Sequence, residues 1–477
     1  MEKTIKPSAE TLGWKQSFLW LALAVVCFHL AYTSLKFPLA GLFIIGYAWG
    51  LVQITNQPSV RRAFYFGLTT AYLCYAPQLF FMWRIFGPLA LVLCLVLAFW
   101  VGLFAAIICG GQRRWGKAKA AWLIPVVWTG IEYFRSELYF LKFSWLNIGY
   151  ALPISTFGMY GGGFIIFAIV TVLLNYRPWV SALVLRKITL AGIIFTLFLL
   201  GLLAALLLPT LASTRASGPK PLSIVGVQLE FPPEHILPKM LGLALAKNPE
   251  AQIFVLSEYT LEGGVPDALK NWCRDHSRYL VVGGKDVITN EVYYNTAFVI
   301  GTNGEVVFQQ VKSVPIQFFH DGLPAPKQAV WSSPWGRIGI CICYDLSYTR
   351  VTDELIKQGA QLLIVPTMDV EYWGRHQHEL HARVAPVRAA EYDVPIFRLA
   401  SSGISQAVAR NGEVMAQTRF SGNGDFLAAR FYLPKRGTLP TDRYIAPVCV
   451  GITTVTLASL LLIHFKERRA VKKLGAE

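Results

Sequence analysis

The chain has 477 residues, of which 54% are hydrophobic and 15% charged, with a mean hydropathy of +0.45. Soluble domains carry about a quarter charged residues, so this balance excludes an ordinary soluble enzyme and points to the bilayer. The formal charge of +16 would suit nucleic acid only if it gathered on a globular segment, and it does not.

Apolar stretches of about 17–25 residues give candidate membrane helices. They fall near 17–35, 37–54, 63–82, 86–109, 119–135, 155–175, 188–210 and 445–465. The first has no small-x-small site after it, and further spans follow, so it reads as a span rather than a cleaved leader. The N-terminal tail, every second connection and the C-terminal tail together carry seventeen Lys and Arg against four Glu, thirteen of the sixteen net charges. The intervening short loops offer little beyond Arg84 and Lys142. The positive-inside rule then puts both termini in the cytoplasm and the 211–444 segment outside. The basic balance is a topology signal, and no nucleic-acid partner is implied.

Three parts follow: residues 1–212 as a bundle of about seven helices, 213–440 as an outer domain, and 441–477 as a final span with a basic tail. In the fifth span Glu132 and Arg135 are three apart on one helical face, a spacing that lets them neutralise each other near its outer end. The loop from Lys142 to Tyr150, with Trp145 in it, is aromatic and almost uncharged, as suits the outer headgroup level.

After a polar linker, Ser213 to Pro221, the pattern changes to short β-branched runs between turn residues. Residues 222–229, 251–258, 279–286, 295–301, 305–312, 336–343, 360–367 and 394–401 read as strands. Helices intervene around 235–248, 266–277, 349–358 and 374–393. Little alternation within the runs means strands buried on both faces, hence a sheet layered with helices. Cys27, Cys74, Cys94, Cys109 and Cys449 lie in candidate spans, where Cys behaves as a small apolar residue. Only Cys273, Cys341 and Cys343 fall outside.

Three strands end in groups that could act together: FVLSE in Glu258, VFQQVK in Lys312 and GICIC in Cys343. A cysteine is only a few per cent thiolate near neutrality unless a base takes its proton. A carboxylate can do that, and an ammonium can keep the carboxylate ionised and stabilise an oxyanion. His376, His378 and His381 lie within six residues, but only His378 and His381 share a helical face, so the spacing fits no zinc pattern. No metal or other cofactor is implied.

The three strand ends, in this order, resemble the Glu-Lys-Cys triad of the carbon–nitrogen hydrolase (nitrilase) superfamily. GRIGICICYD resembles its nucleophile strand, and NTAFVIGTNGEVVFQQVK the segment leading to its lysine. WTGIEYFRSELYFLKFSWLNIGYAL followed by GMYGGGFIIFAIVTVLLN is similar to the membrane bundle of bacterial apolipoprotein N-acyltransferases. His381 followed by Arg388-Ala-Ala-Glu391 also matches a family run.

That resemblance implies an α/β fold, an αββα sandwich attached to an all-α bundle of about eight transmembrane helices. It implies an enzyme of the bacterial inner membrane whose catalytic domain faces the periplasm. The reaction implied moves an acyl chain from a phospholipid, through a Cys343 thioester, to the α-amino group of a diacylglyceryl lipoprotein. The alternative is a membrane-anchored amidase or nitrilase in which water takes the thioester. Tyr344, Asp345, Asp321, His320, Trp145, Arg388 and Glu391 are candidates for positioning the substrate. The chain departs from the family in three places, one being a Lys312-to-Cys343 interval of only 31 residues, shorter than is usual there and closer to soluble hydrolases. Asp345 stands where Glu is usual, and Val314 to Gly322 lacks the family's further glutamate, a gap that Asp321 or His320 could fill.

Overall fold

The computed structural model describes residues 11–33, 40–152, 157–175, 221–289, 291–433 and 436–474. The span expected near 188–210 and the linker up to residue 220 lie outside the described residues.

The described residues between 11 and 175 form helices and connecting loops, with no strand among them. The longest are Trp14–Tyr32, Val60–Gln78, Leu89–Trp115 and Gly158–Asn175, with shorter ones at Phe43–Ile54 and Leu123–Tyr133. Among the described residues, three helices are long and apolar enough to cross a membrane, Trp14–Tyr32, Leu89–Trp115 and Asp442–Val471. Lipid gives little hydrophobic reward for helix association, so small residues at the contacts matter. A Cβ on Gly67 would sit 2.9 Å from the carbonyl of Val101, so Val60–Gln78 and Leu89–Trp115 touch backbone to backbone there. Gly130 plays the same part against the C-terminal helix, where a Cβ would stand 2.5 Å from the Cys449 carbonyl.

The pair Glu132 and Arg135 behaves differently from the sequence expectation. No direct ion pair forms: Glu132 Oε1 accepts the Ile148 N–H at 3.1 Å, while Arg135 donates to Tyr75 at 3.2 Å and to Asn147. The α-helix gives way to a π-turn at Phe134–Leu138, which breaks the spacing assumed for an i, i+3 pair. Both side chains fasten the 144–148 loop instead.

Twelve strands follow: β1 Leu222–Val227, β2 Ile253–Val255, β3 Tyr279–Val287, β4 Tyr293–Ile300, β5 Val306–Val311, β6 Val330–Ser333, β7 Gly336–Ile340, β8 Leu362–Thr367, β9 Ile396–Ala400, β10 Gln406–Val408, β11 Val414–Gln417 and β12 Phe426–Phe431. They make two six-stranded sheets, ordered β12-β1-β2-β3-β4-β5 and β11-β10-β9-β8-β7-β6. The central pairs β1–β2–β3 and β7–β8–β9 are parallel and the outer ones antiparallel. The sheets pack face to face, with Gly226 of β1 lying under Phe397 and Leu399 of β9.

Helices cover both outer faces. Leu237–Lys247 and Asp267–His276 bury Leu241, Leu269 and Trp272 against alternate residues of the first sheet, Val225, Phe254 and Val282. Thr349–Lys357, Arg375–Ala382 and Val384–Tyr392 lie on the second. The αββα sandwich and its helical N-terminal region are therefore present. The last two helices were expected as one. They part at Arg383, because Pro386 in the first turn of the second has no N–H to give back to Ala382.

Candidate active site

Glu258 and Lys312 come from the first sheet and Cys343 from the second. Glu258 lies three residues past β2, and Gly283 of β3 packs on it so closely that a Cβ there would be 2.6 Å from its Cα. Lys312 immediately follows β5, with its backbone N–H bonded to Asn295 O at 2.8 Å. The strand expected to run to residue 343 stops at Ile340. Cys343 has φ +52, which an extended strand cannot hold, and it opens a 3-10 turn, Cys343–Ser347. Strained turns of this kind are common where a nucleophile must project from a sheet.

The three side chains meet, together with Asp321. Lys312 Nζ is 2.8 Å from Glu258 Oε1 and 2.7 Å from Asp321 Oδ2. Asn295 Nδ2 donates to both carboxylates, at 2.7 and 2.9 Å. Glu258 Oε2 accepts the Met368 N–H at 2.7 Å, and the Cys343 thiol donates to the Met368 carbonyl at 3.8 Å. Asp321 also accepts from Tyr259 OH and the Ile316 N–H, each at 2.7 Å. All four groups are buried; Lys312 has no exposed surface at all.

Burial pulls the Lys312 ammonium down, yet the Asp321 and Glu258 carboxylates more than offset this and hold it well above its ordinary value. Burial and the Asp321 charge raise Glu258 against the pull of Lys312, while Lys312 and the hydrogen bonds to it keep Asp321 below the usual range despite burial. Burial, then the Glu258 carboxylate, pushes the Cys343 thiol well up. The resting arrangement is thus a thiol, an ammonium and two carboxylates, of which Glu258 has the greater affinity for a proton.

The other residues singled out from sequence take distinct places. Asp345 faces inward under the turn, where its carboxylate accepts N–H groups of Ser313 (3.0 Å), Val314 (2.8 Å) and Ile342 (3.2 Å). It ties the loop after Lys312 to the turn carrying Cys343, and burial raises its carboxyl to about 6. His320 is exposed and gives only its carbonyl, to Tyr293 OH at 2.6 Å. Arg388 donates to the carbonyls of Leu346 (3.1 Å) and Ser347 (2.8 Å) and to Glu391 (2.6 Å). Glu391 in turn meets Arg443 at 2.6 Å and the Met159 N–H at 3.3 Å, so this pair joins the turn to two membrane helices. Trp145 stacks on His381 with ring centroids 4.6 Å apart and donates from Nε1 to Ser347 Oγ at 3.0 Å. Tyr344 OH donates to the Lys142 carbonyl at 3.2 Å.

An apolar cavity ends at Cys343. Phe81, Met82 and Phe86 line it, with Leu93, Val96 and Leu97 of Leu89–Trp115. Lys142, Trp145 and Tyr344, the 316–319 loop, Met368, Gln377 and His381 add to the wall. The nucleophile candidate therefore shares an apolar cavity with the helices of the N-terminal region.

Two family models match. The carbon-nitrogen hydrolase model covers residues 220–425, and the apolipoprotein N-acyltransferase N-terminal domain model covers residues 24–172. An apolipoprotein N-acyltransferase of Geobacter metallireducens is 23% identical over 445 residues, 81% of this chain and 84% of that one. The two models and this relative together support membership of the apolipoprotein N-acyltransferase family. A deaminated glutathione amidase of Dictyostelium discoideum is 26% identical over 161 residues, covering 30% of this chain and 53% of that one. Among solved structures, a carbon-nitrogen hydrolase from Helicobacter pylori is 16% identical with a TM-score of 0.39, over 49% of this chain and 93% of its own. The model over residues 220–425 makes the sheet domain that of a carbon–nitrogen hydrolase superfamily enzyme.

Three residues of the site gave no signal in the sequence. Asn295 and Met368 are an ordinary strand amide and a loop backbone, and only the fold brings them to Glu258. Asp369, which holds His381 Nδ1 at 2.7 Å and Arg398, was legible only as one more loop carboxylate.

Proposed function

We propose that this protein is an N-acyltransferase that moves an acyl chain from a membrane phospholipid, through a Cys343 thioester, to the α-amino group of a diacylglyceryl-cysteine lipoprotein. The observation that carries this reading is the apolar cavity running from the membrane helices to Cys343, which suits an acyl chain and offers a small polar amide little.

In the first step Glu258 takes the thiol proton and the sulfur attacks the ester carbonyl. Lys312, kept charged by its two carboxylates, stabilises the oxyanion. The tetrahedral intermediate collapses, and Glu258 returns the proton to the leaving lysophospholipid hydroxyl. In the second step the acceptor amine attacks the thioester and loses a proton to Glu258, and the Cys343 thiolate leaves and is reprotonated. Trp145 and Tyr344 line the acyl path, Asp321 does the work of the family's further glutamate, and Asp345, Arg388 and Glu391 hold the turn. His320 has no part in this scheme.

The domain division into 1–212, 213–440 and 441–477 belongs to the same reading. So does a bacterial inner-membrane location with both termini cytoplasmic and the sheet domain on the periplasmic side. The distribution of Lys and Arg supports that orientation.

The test supplies the purified full chain with acyl-labelled phospholipid and a diacylglyceryl-cysteine peptide. Label appearing as an amide on the peptide N-terminus, and absent with Cys343→Ser, is the expected result. Peptide-independent release of free acid, with turnover of small amides, would overturn it in favour of a hydrolase.

A further inference from the structure

Two hydrogen-bond acceptors on the wall of the cavity have no donor. Both are oriented by Asp369, which follows Met368 and is fully buried. Its backbone N–H reaches Ser401 Oγ at 3.0 Å, and its carbonyl accepts from Ser402 at 2.7 Å. Its carboxylate takes His381 Nδ1 at 2.7 Å, Gln377 Nε2 at 3.1 Å and Arg398.

These bonds settle which way each side chain faces. His381 Nδ1 lies 2.7 Å from an Asp369 carboxylate oxygen and 3.0 Å from Arg398 Nη2. The shorter contact joins it to a group that can only accept, so Nδ1 carries the proton and Nε2 keeps a bare lone pair. Gln377 has its amide nitrogen on Asp369, so Oε1 faces away as an acceptor. Both Nε2 and Oε1 are buried without a partner, and both residues line the cavity that holds Cys343. Buried acceptors are rarely left unpaired, and two on one wall call for a ligand with at least two N–H or O–H donors.

Charge narrows the choice. Glu258, Asp321, Asp345 and Asp369 lie buried around Cys343, against Lys312 and Arg398. Burial keeps His381 neutral, even with Asp369 beside it. Lys142 is the one Lys or Arg in the cavity lining among the described residues, and it belongs to the loop that also carries Trp145. A donor that also carries positive charge fits this surplus, and a quaternary ammonium, with no N–H, does not.

We propose that His381 Nε2 and Gln377 Oε1 form a binding site for a primary ammonium group beside Cys343. The inference rests on the acyl-transfer reading above. That chemistry has two sources there, the α-amino group of the lipoprotein acceptor and an ethanolamine headgroup on the donor lipid.

The test separates the half-reactions in the purified full chain with His381→Phe, which keeps a ring against Trp145, and Gln377→Met. Thioester formation on Cys343 is followed by intact mass with lipids carrying ethanolamine, choline or glycerol headgroups. Transfer from the preformed thioester to a diacylglyceryl-cysteine peptide is followed against peptide concentration. If the acceptor amine is bound, KM for the peptide rises roughly 10- to 100-fold relative to any change in acylation. If the headgroup is bound, the ethanolamine lipid alone loses roughly that factor and falls to the choline rate. Equal losses across all three lipids and the peptide, or no loss anywhere, would overturn the site. A wild type that forms no thioester with any lipid overturns the acyl-transfer reading instead. The site is then read by alkylation of Cys343 with iodoacetamide. Protection by ethylammonium but not tetramethylammonium, lost in Gln377→Met, supports it, and equal rates refute it.

Discussion

Replacing Asp321 with Asn removes one charge from the lysine pocket while keeping the side-chain shape. Four groups donate to the Asp321 carboxylate: Lys312 Nζ and the Ile316 N–H on Oδ2, and Tyr259 OH and Asn295 Nδ2 on Oδ1. An amide has one acceptor, so either flip turns an NH2 toward donors. Breaking a buried pair in this way costs about 3–5 kcal/mol, because the partner's charge stays buried. For a domain of this size that lowers the apparent melting temperature by roughly 6–20 °C. Asp321 has a depressed folded value, so its stabilisation is present above the ordinary carboxylate range and is lost as pH falls through the folded value. The gap between variant and wild type is therefore full at neutral pH and closes only as pH falls below the ordinary aspartate range. Chemistry follows the same charge. Without Asp321, Glu258 loses a contribution that raised its proton affinity, so it becomes a weaker base and the acid limb of its profile moves down. Thioester formation falls roughly 10- to 100-fold. Thermal unfolding in detergent and single-turnover acylation across pH measure both effects. A variant melting within a degree of wild type, with the same acid limb, would refute the reasoning.

Cys343→Ser abolishes the mass-detected thioester and lowers acyl transfer by roughly 10⁴-fold or more, since a hydroxyl is a far poorer nucleophile than a thiol in this setting; transfer near the wild-type rate would remove Cys343 from the mechanism. Asp345 has a folded value raised to about 6, so the folded chain binds its proton more tightly than the unfolded one. Its contribution to stability therefore falls as pH rises from about 4 to 6, by about 3 kcal/mol, and Asp345→Asn removes that slope from the unfolding curve. Leu97→Trp narrows the cavity from the side of Leu89–Trp115. Acylation by long-chain lipids then drops at least about tenfold, short-chain lipids are spared, and equal rates for both would show that the acyl chain lies elsewhere.

The parts of the site legible in the sequence were those attached to strong periodic signals. Glu258 and Cys343 each close a buried apolar run, so burial and polarity change together there, whereas Lys312 is marked only as the charge that ends the largely exposed edge strand β5. Asp321 was visible only as a possible stand-in, because its partner Lys312 is nine residues away across an irregular loop. The turn at Cys343 was not visible at all. Its positive φ is imposed by Asp345 reaching back to Ile342 and across to Ser313 and Val314, contacts that no local spacing predicts. Strands β6, β10, β11 and β12 escaped because they are short or alternate at the sheet margins, where burial leaves a weak pattern. The exchange of partners by Glu132 and Arg135 escaped for a related reason, since the π-turn that separates them has no sequence signature here.

What unites the two halves of the chain is the short turn that Cys343 opens. Trp145 from the membrane loop bonds Ser347 Oγ, and Arg388 takes the carbonyls of Leu346 and Ser347. Glu137, carried by the π-turn, accepts the Thr349 N–H at 3.1 Å and Tyr160 OH at 2.8 Å, so a membrane helix caps the helix that the turn leads into. Glu391 and Arg443 extend the same chain of contacts to Gly158–Asn175 and to the C-terminal helix. The links from Trp145, Arg388 and Glu137 are buried, and each ends within six residues of Cys343. A sheet domain that evolved to act alone would have no use for such fastening. Here the bundle supplies one wall of the cavity and also sets the position of the thiol at its end, which makes the membrane helices part of the site rather than an anchor for it.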